Sequence, residues 1–183
     1  KFIDCTFGGG GYSREILKSS GTIVKAIDRD KQALSNVREL EKKFSKRFKF
    51  YQIKFSQLES ISKEFVDMVI FDLGLSSIQL DDLDRGFSFK SNKKLNMTMG
   101  LNKITALDAI NNLSEKNLKL IIKVLGDEKE AHKIAKNIVE YRKVKKIINT
   151  SDLVKIIEKS KKKNYSSKIN PCTKTFQALR IFV

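Results

Sequence analysis

The chain has 183 residues, which is long enough for one domain with a small insertion. Because 40% of the residues are hydrophobic and one is proline, the composition is not that of a disordered linker protein. No apolar stretch approaches the roughly 18 residues of a membrane helix. Its two cysteines, Cys5 and Cys172, form no CxxC pair, which argues against a disulfide framework or a metal site and predicts a cytoplasmic location. The formal net charge is +16, with 19 basic and 8 acidic residues after residue 100. This excess fits either a nucleic-acid partner or a merely lysine-rich composition.

Strand-like and helix-like segments alternate over the first 72 residues. Periodic apolar residues predict helices at about 13–20 and 30–44, the second of which is expected to bury Ala33, Leu34, Val37 and Leu40. Strands that alternate with helices indicate βαβ units and a parallel sheet. Four runs rich in β-branched and aromatic residues predict the strands, at Phe2–Phe7, Thr22–Ile27, Phe48–Ile53 and Val66–Phe71.

The pattern after about residue 101 is helical. Thr105, with Asp108 three residues later, resembles a capping box. Ser114 is placed to cap the next helix, and Gly126 to end it. Two more helices are predicted at about 128–143 and from Thr150 or Ser151 onward. The expected packing faces are Leu118, Ile121, Ile122 and Leu125, then Ala131, Ile134, Ala135 and Ile138, then Val154 and Ile157.

These patterns predict three parts. Residues 1–101 form a cofactor-binding part, residues 102–168 form a helical insert that recognises the substrate, and residues 169–183 return to the first part. The chain starts directly before a strand and stops in the apolar run Leu179–Val183. Because native domains rarely end on buried residues, and four strands are few for a doubly wound sheet, we expect a chain truncated at both ends.

Glycines and aspartates follow the predicted strands. Four consecutive glycines, Gly8–Gly11, lie between the first strand and its helix, where they allow positive φ and close ligand approach, or form a tight turn. Asp28 follows the second strand, where a carboxylate can bind both ribose hydroxyls of an adenosine, and Asp72 follows the fourth. The dinucleotide pattern GxGxxG is incomplete because Ser13 stands at its third glycine. S-adenosylmethionine, which carries no phosphate, therefore fits better than a nicotinamide dinucleotide.

Four sequence blocks carry a family resemblance. In order, they are DCTFGGGGYSREIL at 4–17, AIDRD at 26–30, DLGLSSIQLDDLDRGFSF at 72–89 and TKTFQALRI at 173–181. Together they make essentially the whole chain resemble the ribosomal RNA small-subunit methyltransferase H family. The resemblance implies a Rossmann-like, S-adenosylmethionine-dependent methyltransferase fold with an inserted helical domain. It also implies methylation of the exocyclic N4 of a cytosine in the decoding region of 16S rRNA, within the small ribosomal subunit.

The resemblance also implies roles for single residues. Without it, Phe55 is interpreted as a core aromatic residue and Gln79 as a loop cap. With it, the pocket for S-adenosylmethionine consists of Gly10, Gly11 and Tyr12 at the methionine part, Asp28 at the ribose, Phe55 at the adenine, and Asp72 and Gln79 near the methionine end and the target base.

Three residues near the end of the fourth strand are candidates for catalysis. Asp72, or Ser76 and Ser77 in the following loop, is expected to accept a hydrogen bond from the target amine and orient it. This assignment rests on their position beside the predicted pocket. The usual signature for N4-amine methylation, Asp or Ser followed by two prolines and an aromatic residue, is absent.

The sequence departs from the family at several positions. The family usually has histidine where Tyr12 stands and proline where Ile78 stands. Its PLDMRMD segment reads KLNMTMG here, so Asn96 and Gly100 replace two carboxylates.

Residues outside the pocket are candidates for RNA contacts. Phe87 and Phe89 either stack on an unstacked base or pack against the insert. Arg85, Lys145–Lys146 and Lys161–Lys163 either hold phosphates or form a solvated face. Two other functions stay open, a nicotinamide-dependent oxidoreductase and a non-catalytic RNA-binding or ribosome-assembly protein. The sequence does not indicate an oligomeric state.

Overall fold

The computed structural model describes residues 1–75, 79, 82–161 and 169–183, which fall into two compact units. The sheet unit is Lys1–Ile78 with Met99–Leu101, and the helical unit is Gln79–Thr98 with Asn102–Val183. This division differs from the expected limits at 101 and 169. Residues 79, 82–98 and 169–183 pack with the helices because they bury large side chains there, among them Phe87, Leu95, Met97 and Phe176.

The sheet unit has the expected α/β architecture. Four parallel strands lie in the order β3-β2-β1-β4. β2 and β3 therefore follow one another on one side of β1, whereas β4 lies on the other side. This reversal of strand order places a topological switch point between β1 and β4. This arrangement confirms the Rossmann-like fold. The strands are β1 (Phe2–Asp4), β2 (Val24–Ile27), β3 (Phe48–Tyr51) and β4 (Met68–Ile70), and the helices are α1 (Gly11–Lys18) and α2 (Leu34–Lys43).

The two faces of the sheet are covered differently. Val24 and Ala26 belong to one buried cluster with side chains of α1 and α2. Ile27 points to the other face, where it packs with Leu58 of the 3₁₀ turn Phe55–Ser60. This alternation is the period of two expected for a strand that is buried on both faces.

The second helix begins later than predicted. A 3₁₀ turn at Lys31–Ala33 precedes α2, and the Asp30 side chain caps it by accepting a hydrogen bond from the Gln32 N–H at 3.2 Å. A 3₁₀ turn advances 120° per residue instead of 100°, which shifts the buried face. Leu34 is consequently 38% exposed, so the prediction that it is buried was wrong, whereas Val37 is buried as expected.

The helical unit contains α3 (Ala106–Asn112), α4 (Glu115–Gly126), α5 (Ala131–Val144), α6 (Thr150–Ser160) and α7 (Thr173–Phe182). The capping box of Thr105 and Asp108 is confirmed, with backbone-to-side-chain distances of 2.9 and 3.0 Å. The Ser114 cap is also confirmed. Helix α6 begins at Thr150, with Asn149 as its cap.

Gly126 has a different role from the one predicted. It is the last helical residue of α4, and the left-handed residue that ends the helix is Asp127, with φ of 49°. A Cβ at Gly126 would lie 2.4 Å from the Lys174 carbonyl oxygen. The glycine therefore permits close packing of α4 against α7.

Candidate functional site

The glycine loop after β1 is held in one conformation by its own neighbours. Gly10 has φ of 77°, and its N–H donates to the Phe7 carbonyl at 2.6 Å. A Cβ on Gly10 would lie 2.7 Å from the Phe7 ring. That ring is buried and contacts the rings of Phe48 and Phe50 at centroid distances of 5.7 and 5.5 Å. The loop thus has room for glycine alone at position 10.

Asp28 is oriented by two backbone groups. One carboxylate oxygen accepts the Gly8 N–H at 2.7 Å, and the other accepts the Asp30 N–H at 2.8 Å. Each carboxylate oxygen can accept a further hydrogen bond, and the side chain is only partly buried. Asp28 therefore joins the glycine loop to the end of β2 and retains the capacity to bind a pair of hydroxyl groups.

A buried aspartate that the sequence did not single out supports the same loop. Asp4, the last residue of β1, is 0% exposed. Its carboxylate accepts the Ser13 hydroxyl at 2.7 Å and the Thr6 N–H at 3.2 Å. Burial raises the pKa of the Asp4 carboxyl above its usual range, although these hydrogen bonds oppose the shift. The signal available in the sequence was the pairing of a strand-terminal aspartate with a serine in the first turn of the next helix.

Thr6 connects the ends of β1 and β4. Its hydroxyl accepts the Asp72 N–H at 2.8 Å, across the switch point where open parallel sheets bind ligands. Asp72 itself is exposed. Ser76 and Ser77, the other two candidates for catalysis, lie outside the described residues.

Two phenylalanines form an aromatic pair at the same edge of the sheet. Phe55 and Phe71 meet edge to face, with ring centroids 5.7 Å apart and planes at 86°. Phe55 is 47% exposed and Phe71 48% exposed, so Phe55 is not the core residue that the sequence alone suggested. Phe71 was missed because it was interpreted only as the end of a strand.

Three further residues were predicted for the methionine end of the pocket. Gly11 and Tyr12 lie at the start of α1, whereas Gln79 does not. A Cβ on Gly11, the first residue of α1, would meet nothing within 4 Å. Tyr12 is 50% exposed. Gln79 is buried and belongs to the helical unit. Its role in a pocket with Asp72 stays a prediction.

The two positions at which carboxylates are replaced have local explanations. Gly100 has φ of 51°, and a Cβ there would lie 1.9 Å from the Arg29 carbonyl oxygen. The backbone at this position therefore has no space for any side chain. Asn96 accepts hydrogen bonds from the Thr98 hydroxyl at 2.8 Å and from its N–H at 3.3 Å, so its side chain stabilises a turn.

Several residues proposed for RNA contacts are occupied by packing. Phe87 is 0% exposed, and the ring of Phe89 packs edge to face on that of Phe176 at 5.8 Å. Packing is therefore the better interpretation of Phe87. The Lys161 ammonium group forms an ion pair with Glu128 at 2.6 Å and is not a free phosphate ligand. Lys145 and Lys146 are exposed, whereas Lys162–Lys163 lie outside the described residues.

The described part of the chain gives no indication of a metal or membrane site. Within it, no group of three or more His, Cys, Asp or Glu side chains is arranged to hold a metal ion. No helix in the same ranges is both long and apolar enough to cross a bilayer. Both cysteines are free and buried.

Comparison with known proteins gives consistent matches. The family model described as the MraW methylase family matches residues 1–183. A protein of Bartonella tribocorum named ribosomal RNA small subunit methyltransferase H is 42% identical over 183 residues, which are 100% of this chain and 55% of that protein. Proteins of the same name from Rickettsia africae (42% identical) and Ehrlichia canis (43% identical) are also covered only in part, to 59% and 63% of their lengths. The chain thus spans about half to two thirds of the length of these relatives.

Proposed function

Because this chain belongs to the MraW methylase family, as its four sequence blocks predicted, we propose that it methylates the exocyclic N4 of a cytosine in 16S rRNA. The methyl donor in this proposal is S-adenosylmethionine, and the partner is the small ribosomal subunit in the cytoplasm. Relatives at 42–43% identity carry the name ribosomal RNA small subunit methyltransferase H. The observation that carries the proposal is the cluster of Asp28, the glycine loop and Asp72 at the carboxyl edge of the sheet.

The shape and chemistry of this edge suit S-adenosylmethionine. The two oriented oxygens of Asp28 are suited to the two ribose hydroxyls, because each still has an acceptor site free. The half-exposed ring of Phe55 offers a flat surface for an adenine. The open space beside Gly11 is suited to the methionine part, together with Gly10 and Tyr12. Ser13, at the third glycine position of a dinucleotide pattern, is committed to Asp4 instead.

Asp72 is the residue we assign to the target amine. The bound cofactor supplies a methyl carbon that its positively charged sulfur activates toward nucleophiles. The lone pair of the cytosine amine is delocalised into the ring, so the amine must be turned before it can attack. The exposed Asp72 carboxylate would accept an N–H of this amine and hold it in line. Alignment of this kind contributes up to about 7–11 kcal/mol.

Calorimetry with S-adenosylhomocysteine tests the cofactor site. Replacing Asp28→Ala removes two charge-assisted hydrogen bonds to the ribose, and we expect a loss of affinity of roughly 30-fold or more, equivalent to about 2 kcal/mol. Glu41→Ala, which removes an exposed carboxylate from α2, is the matched control and leaves the affinity unchanged. An Asp28→Ala variant with normal melting temperature and normal affinity would refute the assignment of the ribose site.

Transfer of tritiated methyl groups to small subunits that lack the modification tests the reaction. The expected product is N4-methylated cytidine in digested 16S rRNA. Asp72→Ala should lose most methyl transfer even at S-adenosylmethionine concentrations that saturate the variant. Full methyl transfer by this variant would exclude Asp72 from catalysis. Binding of NAD in preference to S-adenosylhomocysteine would overturn the proposed function itself.

A further inference from the structure

The peptide group that joins Arg29 to Asp30 helps to orient the carboxylate of Asp28. The N–H of this group, on Asp30, donates to one carboxylate oxygen of Asp28 at 2.8 Å. Its carbonyl oxygen belongs to Arg29. The peptide is trans and planar, so a shift or rotation of the carbonyl also moves the N–H. The position of the Arg29 carbonyl therefore affects a hydrogen bond that holds Asp28.

A tight turn from later in the chain packs on this carbonyl. The turn is Met99–Leu101, which belongs to the sheet unit, and the Leu101 N–H closes it by donating to the Met99 carbonyl oxygen at 2.6 Å. Gly100 lies at its tip, where a Cβ would be 1.9 Å from the Arg29 carbonyl oxygen. The Arg29 guanidinium donates to the Met99 sulfur at 3.0 Å. The Met99–Leu101 turn thus contacts both the backbone and the side chain of Arg29.

These contacts lie where the chain leaves the sheet after β2. The Asp28 N–H still donates to the Tyr51 carbonyl oxygen of β3, at 3.3 Å. Two residues later, the side chain of Asp30 caps the 3₁₀ turn that precedes α2. Between these two points, the Met99–Leu101 turn supports the backbone at Arg29. It therefore braces the segment that presents the Asp28 carboxylate.

We infer that the Met99–Leu101 turn positions the Asp28 carboxylate for the cofactor and that Gly100 is the residue that lets the turn approach. The inference rests on the proposed function, which assigns the two Asp28 oxygens to the ribose hydroxyls. Charge-assisted hydrogen bonds have lengths of about 2.7–2.9 Å, and a binding group has to be held within about 0.5 Å of its productive position. Gly100 is therefore a positioning residue that acts through Asp28 without touching the cofactor.

A double-mutant cycle in cofactor affinity tests this role. A Cβ essentially never lies closer than about 3 Å to another heavy atom, so Gly100→Ala forces one of the two backbones to move by about 1 Å. We expect the affinity for S-adenosylhomocysteine, measured by calorimetry, to fall at least about fivefold. Added to Asp28→Ala, the same substitution should change the affinity by less than about twofold, because the residue through which it acts is gone.

Gly21→Ala is the matched control for backbone strain. Gly21 has φ of 80°, but a Cβ there would meet nothing within 4 Å, and it precedes β2, at the opposite end of that strand from Asp28. Its replacement imposes left-handed strain alone and should lower the melting temperature without changing the affinity. A Gly100→Ala protein with the affinity of Gly21→Ala would overturn the inference. So would a loss of affinity that is undiminished in the Asp28→Ala background.

Met99→Ala serves as the second variant in case Gly100→Ala does not fold. It removes the sulfur that accepts the Arg29 guanidinium and adds no atom. Because a thioether is a weak acceptor, we expect the affinity to fall only about threefold, and this loss should disappear in the Asp28→Ala background. Wild-type affinity of Met99→Ala would then overturn the inference.

Amide hydrogen exchange without ligand separates this inference from the proposed function. The Gly8 and Asp30 N–H groups both donate to Asp28, so Gly100→Ala should speed their exchange at least about fivefold relative to Gly21→Ala. Faster exchange in a protein whose wild type binds no S-adenosylhomocysteine would support the positioning of Asp28 and reject the proposed cofactor. Unchanged exchange in a protein whose wild type binds S-adenosylhomocysteine would reject the positioning and leave the proposed function standing.

Discussion

Replacing Gly10 by alanine tests how the glycine loop is held. Gly10 has φ of 77°, and a Cβ there would lie 2.7 and 2.9 Å from two atoms of the Phe7 ring. The ring cannot move freely, because it is 2% exposed and packs between Phe48 and Phe50. The substitution therefore imposes both backbone strain and overpacking of the core.

The expected cost follows from these two effects. A left-handed conformation at a residue with a Cβ costs about 1–2 kcal/mol, and overpacking a core costs about 1–3 kcal/mol. Gly10→Ala should therefore lose about 2–5 kcal/mol of unfolding free energy. For a chain of this size, the melting temperature falls roughly 2–4 °C per kcal/mol, so we expect a decrease of roughly 4–20 °C, measured by circular dichroism.

The neighbouring glycine is the matched control. Gly11 lies at the first position of α1, and a Cβ there would meet nothing within 4 Å. Alanine at a helical position is favoured over glycine by about 0.5–1 kcal/mol, so Gly11→Ala should melt at the same temperature or slightly higher. The added methyl group would enter the space that we assign to the methionine part of the cofactor. Affinity for S-adenosylhomocysteine should therefore fall about tenfold, or about 1.4 kcal/mol.

Each variant has an outcome that contradicts the reasoning. A Gly10→Ala protein that melts like the wild type would mean that the loop is not constrained by Phe7. A Gly11→Ala protein with unchanged affinity for S-adenosylhomocysteine would mean that the methionine part lies elsewhere.

Three further predictions concern buried polar groups. The Thr175 hydroxyl is buried without a hydrogen-bond partner in the described part of the chain, so Thr175→Val should raise the unfolding free energy by about 1 kcal/mol in urea titrations. Lys161→Met leaves the carboxylate of Glu128, which is 3% exposed, without its ion-pair partner. This variant should lose about 3–5 kcal/mol of unfolding free energy in the same titrations, and adding Glu128→Gln should restore most of it. Burial raises the pKa of Asp4, so the folded state holds this proton more tightly than the unfolded state does. Its contribution to stability is complete below the usual carboxyl range and is lost as pH rises through the raised pKa. The Asn side chain can still accept the Ser13 hydroxyl but does not titrate. Asp4→Asn should therefore abolish this decrease in unfolding free energy with rising pH, measured by urea unfolding at several pH values.

The sequence predicted the features that depend on near neighbours. The capping box of Thr105 and Asp108 involves residues three apart, and the buried face of α5 repeats at helical spacing, so both are visible in the residue order. Asp28 and Asp72 were identified because they follow strand-like runs, and parallel strands bring their carboxyl ends to one edge.

Features that depend on distant residues were not predictable in the same way. Asp4 and Ser13 pair because α1 starts at Gly11, two residues before the predicted start, which turns Ser13 inward. Gly126 is required by the Lys174 carbonyl oxygen, which is 48 positions later in the chain. Lys161 resembles any solvated lysine in the sequence, and its role follows from the buried carboxylate opposite it. Residue order carries little information about such contacts, because they depend on how elements pack.

The replaced carboxylates narrow the choice of catalytic residue. Gly100 has no space for a side chain, and the Asn96 side chain is occupied in a local turn, so neither position supplies a carboxylate to the reaction. Among the described aspartates that end β1, β2 and β4 or follow them within two residues, Asp4 is buried and bonded to a hydroxyl, and Asp28 is oriented by two N–H groups. Asp72 alone of these three is exposed. The departure from the family pattern therefore strengthens the assignment of the target amine to Asp72, since no contact of this carboxylate within residues 1–75, 79, 82–161 and 169–183 would compete with accepting an N–H.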